Sequence, residues 1–223
     1  MTGANKGIGF ETVKQLQALG HVVYLGARDP ERGQEAATHI GARFVQLDVT
    51  DDASVARAME DIAAAEQRLD VLVNNAGVQE FDPVDGPLAL RGFDTNAVGV
   101  VRVTEAALPL LRRSDNPVVV TVSSSAGSFW AVTNPGRPEY HLTNAVYAAS
   151  KAAATMLTVQ YAKANPDMRI NAVEPGYTAT DMTAAFEGGQ PAEEAARAVV
   201  KLATIGAEGP TGTLQDADGV MNW

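Results

Sequence analysis

The sequence predicts an α/β fold, a single domain in which a parallel sheet carries helices on both faces. Three observations support it. Short apolar runs of strand length alternate with helix-length stretches along the whole chain, the pattern of repeated strand–helix–strand units. A turn with Gly3, Gly7 and Gly9 leads directly into a run of helical spacing, as at a helix start that receives a phosphate. The 223 residues, 46% of them hydrophobic, can form one sizeable core, and no repeat, low-complexity tract or linker divides them.

Val13, Leu16 and Leu19 keep helical spacing over Phe10–Leu19 until Gly20 stops it. The glycines before them let the backbone turn tightly and let a pyrophosphate approach the amides of the helix start. The spacing, G-x-x-x-G-x-G, is one residue longer in its first gap than the usual dinucleotide fingerprint, and it lacks the Gly-Lys-Ser/Thr of a P-loop. His21–Ala27 reads as a buried strand. Next come Arg28-Asp29-Pro30-Glu31, where Asp29 suits an N-cap with proline at the first helical position. Asp29 also lies near where an acid grips a ribose 2′-hydroxyl in NAD sites. Arg28, with Lys6, can instead pair with a 2′-phosphate, which points to NADP(H) over NAD(H).

Pro30–Ile40 reads as a helix closed by Gly41, and Arg43–Leu47 as a strand ending at Asp48 and Val49. Val55, Met59 and Ile62 mark one face of the next helix. Leu69–Val73 is a strand running into Asn74-Asn75-Ala76-Gly77. Arg91–Arg113 is largely helical, with Asn96 early in it and a kink expected at Pro109. Val118–Val122 is a buried strand feeding Ser123, Ser124, Ser125, Ala126 and Gly127. An Ala-rich helix from Ala145 fades by Asn165-Pro166; the strand Arg169–Val173 ends at Pro175-Gly176; Pro191–Ile205 is helical and Thr213–Gln215 a short last strand.

Tyr147 and Lys151 lie four residues apart on the Ala-rich helix, hence on one face. A phenol titrates near pH 10, too high for proton transfer near neutrality. An adjacent ammonium favours the phenolate and is expected to draw that value down, toward the range of a general acid or base. Read without context, such a pair is most often an ordinary surface contact.

A net charge of −10, from 17 basic and 27 acidic residues, repels phosphate backbones and anionic membranes, so neither nucleic acid nor a membrane surface is an expected partner. Three scattered histidines and no cysteine leave no disulfide, no thiolate chemistry and no metal-ligand spacing. No apolar run approaches the roughly 18 residues of a membrane span and no signal peptide opens the chain, so a cytoplasmic protein is the default.

In order along the chain, Thr2-Gly-x-x-x-Gly-x-Gly9, Asn74-Asn-Ala-Gly77, Asn96, Ser123–Ser125, Tyr147-x-x-x-Lys151 and Pro175-Gly176 resemble the motifs of the short-chain dehydrogenase/reductase family, over essentially the whole chain. Asn5-Lys-Gly-Ile-Gly9, the Gly26–Gly33 stretch and the terminal Trp look most like its NADPH-dependent carbonyl reductases. The resemblance implies a Rossmann-type doubly wound sheet and one NAD(P)-binding domain over residues 1–223. It implies Tyr147 as the acid that protonates a carbonyl oxygen, or the base in reverse. Lys151 would lower its pKa and bind the nicotinamide ribose, Ser124 would orient the carbonyl, and Asn96 would hold a water on the proton path. Gly3, Lys6, Gly7, Ile8 and Gly9 would bind phosphates, Arg28 the 2′-phosphate, Asp48 and Val49 the adenine. Asn74, Asn75, Ala76 and Gly77 would pass the adenosine ribose, and Pro175, Gly176, Thr178 and Thr180 would cradle the nicotinamide amide. On residue type alone, Ser124 reads as a strand end, Asn96 as a backbone-bonding residue near a kink and Asp48 as a helix cap.

The chain departs from the family at two places. A hydrophobic strand normally precedes the Thr-Gly of the phosphate loop, and in the implied order it lies mid-sheet, between the Val22–Leu25 and Val71–Val73 strands. Met1 stands where its last residue belongs, so the first, central strand is expected to be missing, with a gap at that position, weakened cofactor binding and a natural start upstream of Met1. The span from Ser124 to Tyr147 is longer than the family's roughly dozen residues. Phe129, Trp130, Pro135, Gly136, Pro138 and Tyr140 make it a pocket wall or an ordered surface flap. Tyr177–Gln190, with Met182, Phe186 and the Gly188-Gly189 pair, resembles the family's substrate loop, and the scarcity of charge in both segments hints at an apolar carbonyl compound. The expected function is an NADPH-dependent oxidoreductase of aldehydes, ketones or alcohols. The alternatives are a non-catalytic NADP(H) sensor and a truncated, weakly active relative. Monomer and homo-oligomer both stay open.

Overall fold

The computed structural model describes residues 1–79, 84–184 and 187–223. Helix α1 (Gly7–Ala18) precedes β1 (Tyr24–Ala27), α2 (Pro30–Ile40), β2 (Arg43–Gln46), α3 (Asp52–Glu66) and β3 (Val71–Asn74). Then come α4 (Gly86–Phe93), a π turn (Asp94–Val98), α5 (Gly99–Leu111), β4 (Val118–Val122) and the short α6 (Phe129–Thr133). The long α7 (Ala145–Ala164), β5 (Arg169–Val173), α8 (Ala192–Ala203) and β6 (Leu214–Gln215) complete the chain. Every ladder is parallel, and the order is β2-β1 in one sheet and β3-β4-β5-β6 in another.

Local signals account for most boundaries. The Asp29 carboxylate accepts the Arg32 N–H at 3.1 Å, Pro30 opens α2, and Gly41 closes it in the left-handed region at φ 81°. Asp51 caps α3 by accepting the amides of Ala53 and Ser54. Asp48, the cap expected from sequence, instead folds back on Thr50, accepting its N–H at 2.9 Å and its hydroxyl at 2.7 Å. Asn144 caps α7 through the Tyr147 N–H. Pro109 is accommodated within α5.

Strand alternation divides the core in two. Val118, Val120 and Val122 of β4 join Leu25, Val13, Leu16, Val199 and Leu202 under α1 and α8. Val119 and Ile170 face the other way, onto Val55, Met59 and Ile62 of α3 and Val103 and Leu111 of α5.

The two sheets meet at the chain's first four residues. Met1 donates its amino group to the Tyr24 carbonyl (2.8 Å) and accepts from the Gly26 amide (2.8 Å). Thr2 donates to the Val73 carbonyl and Ala4 to the Gly26 carbonyl, both at 3.0 Å. Met1–Ala4 thus stand where the end of a central strand belongs, and the sheet is open beyond them. The buried strand expected over His21–Ala27 is correspondingly shorter: the ladder starts at Val23 on one side and Tyr24 on the other, and Val22 is 61% exposed. The segment between β4 and α7 is ordered. Trp130 donates its N–H to the Trp223 carbonyl and Ser128 its hydroxyl to the Asn222 carbonyl, both at 2.8 Å.

Candidate active site

In a parallel sheet all strands end on one edge, and ligand sites collect there. Arg28 follows β1, Asp48 follows β2, Asn74–Gly77 close β3, Ser123–Gly127 follow β4 and Pro175–Thr180 follow β5, so the expected residues share that edge.

The phosphate cradle is held from below by the Asn74–Gly77 turn. The Thr2 hydroxyl accepts the N–H groups of Asn75 and Ala76 at 2.9 Å, and the Asn75 amide donates to the Thr2 and Gly3 carbonyls at 2.9 Å. The approach is close enough to require glycine. A β-carbon on Gly3, whose φ is 59°, would lie 2.8 Å from the Ala76 Cα, and one on Gly9 would lie 2.7 Å from the Asn75 amide nitrogen. At Lys6 the N-cap of α1 supplies no side-chain acceptor, and the first turn holds no acid. The helix therefore presents uncapped N–H groups and its positive dipole end, which suits an anion such as a pyrophosphate. Ile8 lies half-buried in that turn.

Lys6 donates to Asp181 at 2.8 Å, and Thr180 closes over Gly7, its methyl 3.4 Å from where a β-carbon would sit. Arg28 is exposed, and among the described residues its guanidinium has no ion-pair partner, so it is available to a 2′-phosphate. Val49 is buried against Gly99. Asn74 is buried and donates to Thr104 at 3.0 Å, with its carbonyl oxygen unpartnered; it and Asn75 serve the cradle from behind. Thr178 is buried and donates to the Gly176 carbonyl, while Gln190 donates to the Pro175 carbonyl at 2.6 Å. Phe186 of the expected substrate loop lies outside the described residues. A β-carbon on Gly189 would lie 2.7 Å from the Ala179 nitrogen, so this end of the loop is closely packed.

The reactive cluster sits on α7. The Ser124 hydroxyl, which accepts the Ala126 N–H at 3.2 Å, lies close enough to the Tyr147 phenol to act on its titration. The Lys151 ammonium lies 5.7 Å from the Tyr147 ring centroid and donates to the Val122 carbonyl at 2.9 Å. Ser124 is half-buried, whereas its neighbours are engaged elsewhere: Ser123 on Thr155 (2.6 Å) and the Lys151 carbonyl (3.2 Å), Ser125 on Glu174 (3.4 Å). Asn96, in the π turn, accepts the Val78 N–H and donates to the Val78 carbonyl, both at 2.8 Å, and donates to Ser150 at 2.9 Å. Ser150 in turn donates to the Tyr147 carbonyl at 2.8 Å, fastening the turn to α7. A β-carbon on Gly77 would lie 3.4 Å from both Asn96 Oδ1 and Lys151 Nζ, so this turn packs directly against both side chains.

Electrostatics correct one expectation. Burial pushes the Tyr147 phenol up to about 12, against the Ser124 hydroxyl that lowers it, and the charge of Glu174 raises it further. Burial likewise draws the Lys151 ammonium down to about 8. The ammonium therefore does not bring the phenol toward neutrality in the ligand-free protein: desolvation of both groups outweighs their attraction.

Three contributors were given no role from the sequence. Thr2, quoted only as the start of the glycine motif, fastens the cradle, Asp181 pairs with Lys6, and Glu174, an acid directly before Pro175-Gly176, sits beside Ser125. The wall between Ser124 and Tyr147 is also less apolar than expected, since Glu139 is buried in a two-point pair with Arg137 (3.0 and 2.9 Å). Among the described residues, no cluster of His, Asp or Glu is arranged for a metal, and no helix is long and apolar enough to cross a membrane.

A family model described as short chain dehydrogenase matches residues 1–190. The chain is 33% identical to "Salutaridine reductase" of Papaver bracteatum, with 97% of this chain and 93% of that protein covered. It is 30% identical to "(+)-neomenthol dehydrogenase" of Capsicum annuum, with 95% and 93% covered. In three dimensions it resembles an NADPH-bound carbonyl reductase from chicken fatty liver at a TM-score of 0.88 and 28% identity, covering 100% of this chain and 97% of that one.

Proposed function

This chain belongs to the short-chain dehydrogenase family, and on that premise we propose that it is an NADP(H)-dependent oxidoreductase interconverting an aldehyde or ketone and its alcohol. The observation that carries the reading is the grouping of Tyr147, Ser124 and Lys151, with the ammonium 5.7 Å from the tyrosine ring centroid, at the sheet edge that also holds the glycine cradle. The NADPH-bound state of the structurally similar carbonyl reductase supports the cofactor class. Exposed Arg28 supports the preference for a 2′-phosphate, and we read residues 1–223 as one nucleotide-binding domain.

Gly3, Gly7, Ile8 and Gly9 would hold the diphosphate with Lys6, and Pro175, Gly176, Thr178 and Thr180 the nicotinamide end. When bound, the nicotinamide supplies the hydride. The chain's own residues handle orientation and the proton. Ser124 donates to the substrate oxygen and stabilises the charge that grows there. Tyr147 hands its hydroxyl proton to that oxygen during reduction and takes it back during oxidation. Lys151 holds a positive charge close by, favouring the phenolate left behind, and Asn96 keeps α7 and the Val78 backbone in register.

The test is Tyr147→Phe, assayed by loss of reduced-nicotinamide absorbance across a panel of carbonyl compounds, with cofactor affinity followed by fluorescence. Loss of about 10²–10⁴-fold in turnover with NADPH affinity retained is the expected result. Equal turnover in both proteins would remove Tyr147 from the chemistry, and a wild type that binds NADPH but turns over nothing would favour a cofactor sensor.

A further inference from the structure

Glu174 is the one acidic side chain that reaches into the catalytic cluster from β5. It stands at the strand's end, directly before Pro175-Gly176, and its main-chain N–H is fixed on the Gln215 carbonyl at 2.7 Å. One carboxylate oxygen accepts the Gly176 N–H at 2.5 Å. The other accepts the Ser125 hydroxyl at 3.4 Å. One side chain therefore joins two loops that leave different strands: the β4 loop with Ser124, and the turn expected to hold the nicotinamide end. We propose that Glu174 is a positioning residue that clamps the Ser124 loop to the Pro175–Gly176 turn. Its carboxylate also sets a negative charge beside that loop, on the side of Tyr147. The inference rests on the reading of Tyr147 and Ser124 given above.

The charged surroundings leave Glu174 weakly compensated. Arg137, the nearest guanidinium, spends its two-point contact on Glu139 and acts on Glu174 only at longer range. Glu139 and Asp216 add negative charge around that same guanidinium, and Glu139 shares the Ser125 hydroxyl with Glu174. From α7, Tyr147 and Lys151 face the cluster, with Lys151 bonded to the Val122 carbonyl. Among the described residues no cation lies in ion-pair range of the Glu174 carboxylate. A negative charge placed near a phenol whose ionised form is also negative disfavours that form. The direction agrees with the physics of the site: Glu174 adds to what burial already does to Tyr147. Burial pushes the Glu174 carboxyl itself up, while the Gly176 and Ser125 donors hold it down.

The two halves of the proposal separate by substitution. Glu174→Gln keeps one oxygen for the Gly176 N–H and turns an NH2 toward the Ser125 hydroxyl, which can accept from it, while the charge is removed; Glu174→Ala removes both contacts and the charge. The pH profile of alcohol oxidation, which needs the phenolate, is recorded for the wild type and both variants. Glu174→Gln should keep its plateau within about threefold and move the rising limb, on which Tyr147 loses its proton, to lower pH by about one unit. Glu174→Ala should show the same displacement with a plateau about tenfold lower. In ¹⁵N spectra the Gly176 amide should titrate with Glu174 in the wild type and lose that titration in Glu174→Gln. Superimposed limbs for the wild type and Glu174→Gln would overturn the charge effect. An Ala plateau equal to the wild type, or a Gly176 amide indifferent to Glu174, would overturn the clamp. Should the wild type oxidise no alcohol and reduce no carbonyl compound, the enzymatic reading fails instead. The present inference is then decided by the phenolate absorbance of the NADP⁺ complex, wild type minus Tyr147→Phe, with and without Glu174→Gln.

Discussion

Gly127 rests against Lys151 so closely that a β-carbon on it would lie 2.7 Å from the Lys151 carbonyl carbon and 2.6 Å from the Ala152 nitrogen. The contact is between main chains, so no side chain can move aside to relieve it. It sets the height of the Ser124 loop over α7 and brings the serine to the tyrosine. Gly127→Ala should lower stability by about 1–3 kcal/mol and reduce kcat more than it weakens cofactor binding. Thermal unfolding and NADPH titration of the purified variant check both; an alanine protein with native melting and native kcat would show that the contact is not limiting.

Arg28 is placed to distinguish the two dinucleotides. A hydrogen bond to a charged group contributes about 1.5–3 kcal/mol, so Arg28→Ala should weaken NADPH by about 10- to 100-fold and leave NADH nearly unchanged. Dissociation constants for both cofactors, measured side by side, decide it. Parallel losses would remove the 2′-phosphate role.

If Lys151 acts as proposed, the reduction rate falls at high pH. Its ammonium is drawn down to about 8, so it carries its charge below that value and loses it above. If that charge supports the departing Tyr147 proton, kcat/KM for carbonyl reduction is flat below about 8 and declines beyond. Lys151→Met should be slow at every pH and lack the limb at 8. A wild-type profile without a break between 7 and 9 would contradict the assignment.

The open sheet beyond Met1 has a consequence for stability. Apolar residues added before Met1 in strand register would lie between β1 and β3 and cover Val22, now 61% exposed. Each buried side chain contributes about 1.5–3 kcal/mol, so a short Val/Ile extension should raise Tm by several degrees, at about 2–4 °C per kcal/mol for a chain of this size. A Gly/Ser extension of equal length should change little. Equal melting of the two would mean that the added strand does not dock.

The sequence disclosed most where one local signal decided the outcome. The uninterrupted runs Val118–Val122 and Arg169–Val173 are strands to the residue, and Asp29-Pro30 with Gly41 bounds α2 as expected. It disclosed less where two candidates competed. Asp48 and Asp51 both precede α3, and the choice between them depends on how the chain turns at Thr50. Helix α6 has five residues and is held by the C-terminal Asn222 and Trp223, partners that no local window contains. The tyrosine–lysine pair was visible as a pattern, but the direction of its titration follows from burial, which is set by the packing of the whole domain. Glu174 stood in plain view, and only the return of β5 beside β4 gives it partners.

Met1–Ala4 join two pieces of sheet, and Thr2 and Gly3 of that same segment carry the Asn75 turn beneath the cradle. Whatever fills the cradle therefore also tightens the seam through the middle of the molecule. A ligand at 100 times its Kd adds about 2.7 kcal/mol to the folded state. That increment falls where the architecture is thinnest, so resistance to proteolysis should rise and fall with the supply of dinucleotide, and a cell short of it would lose the protein along with its activity.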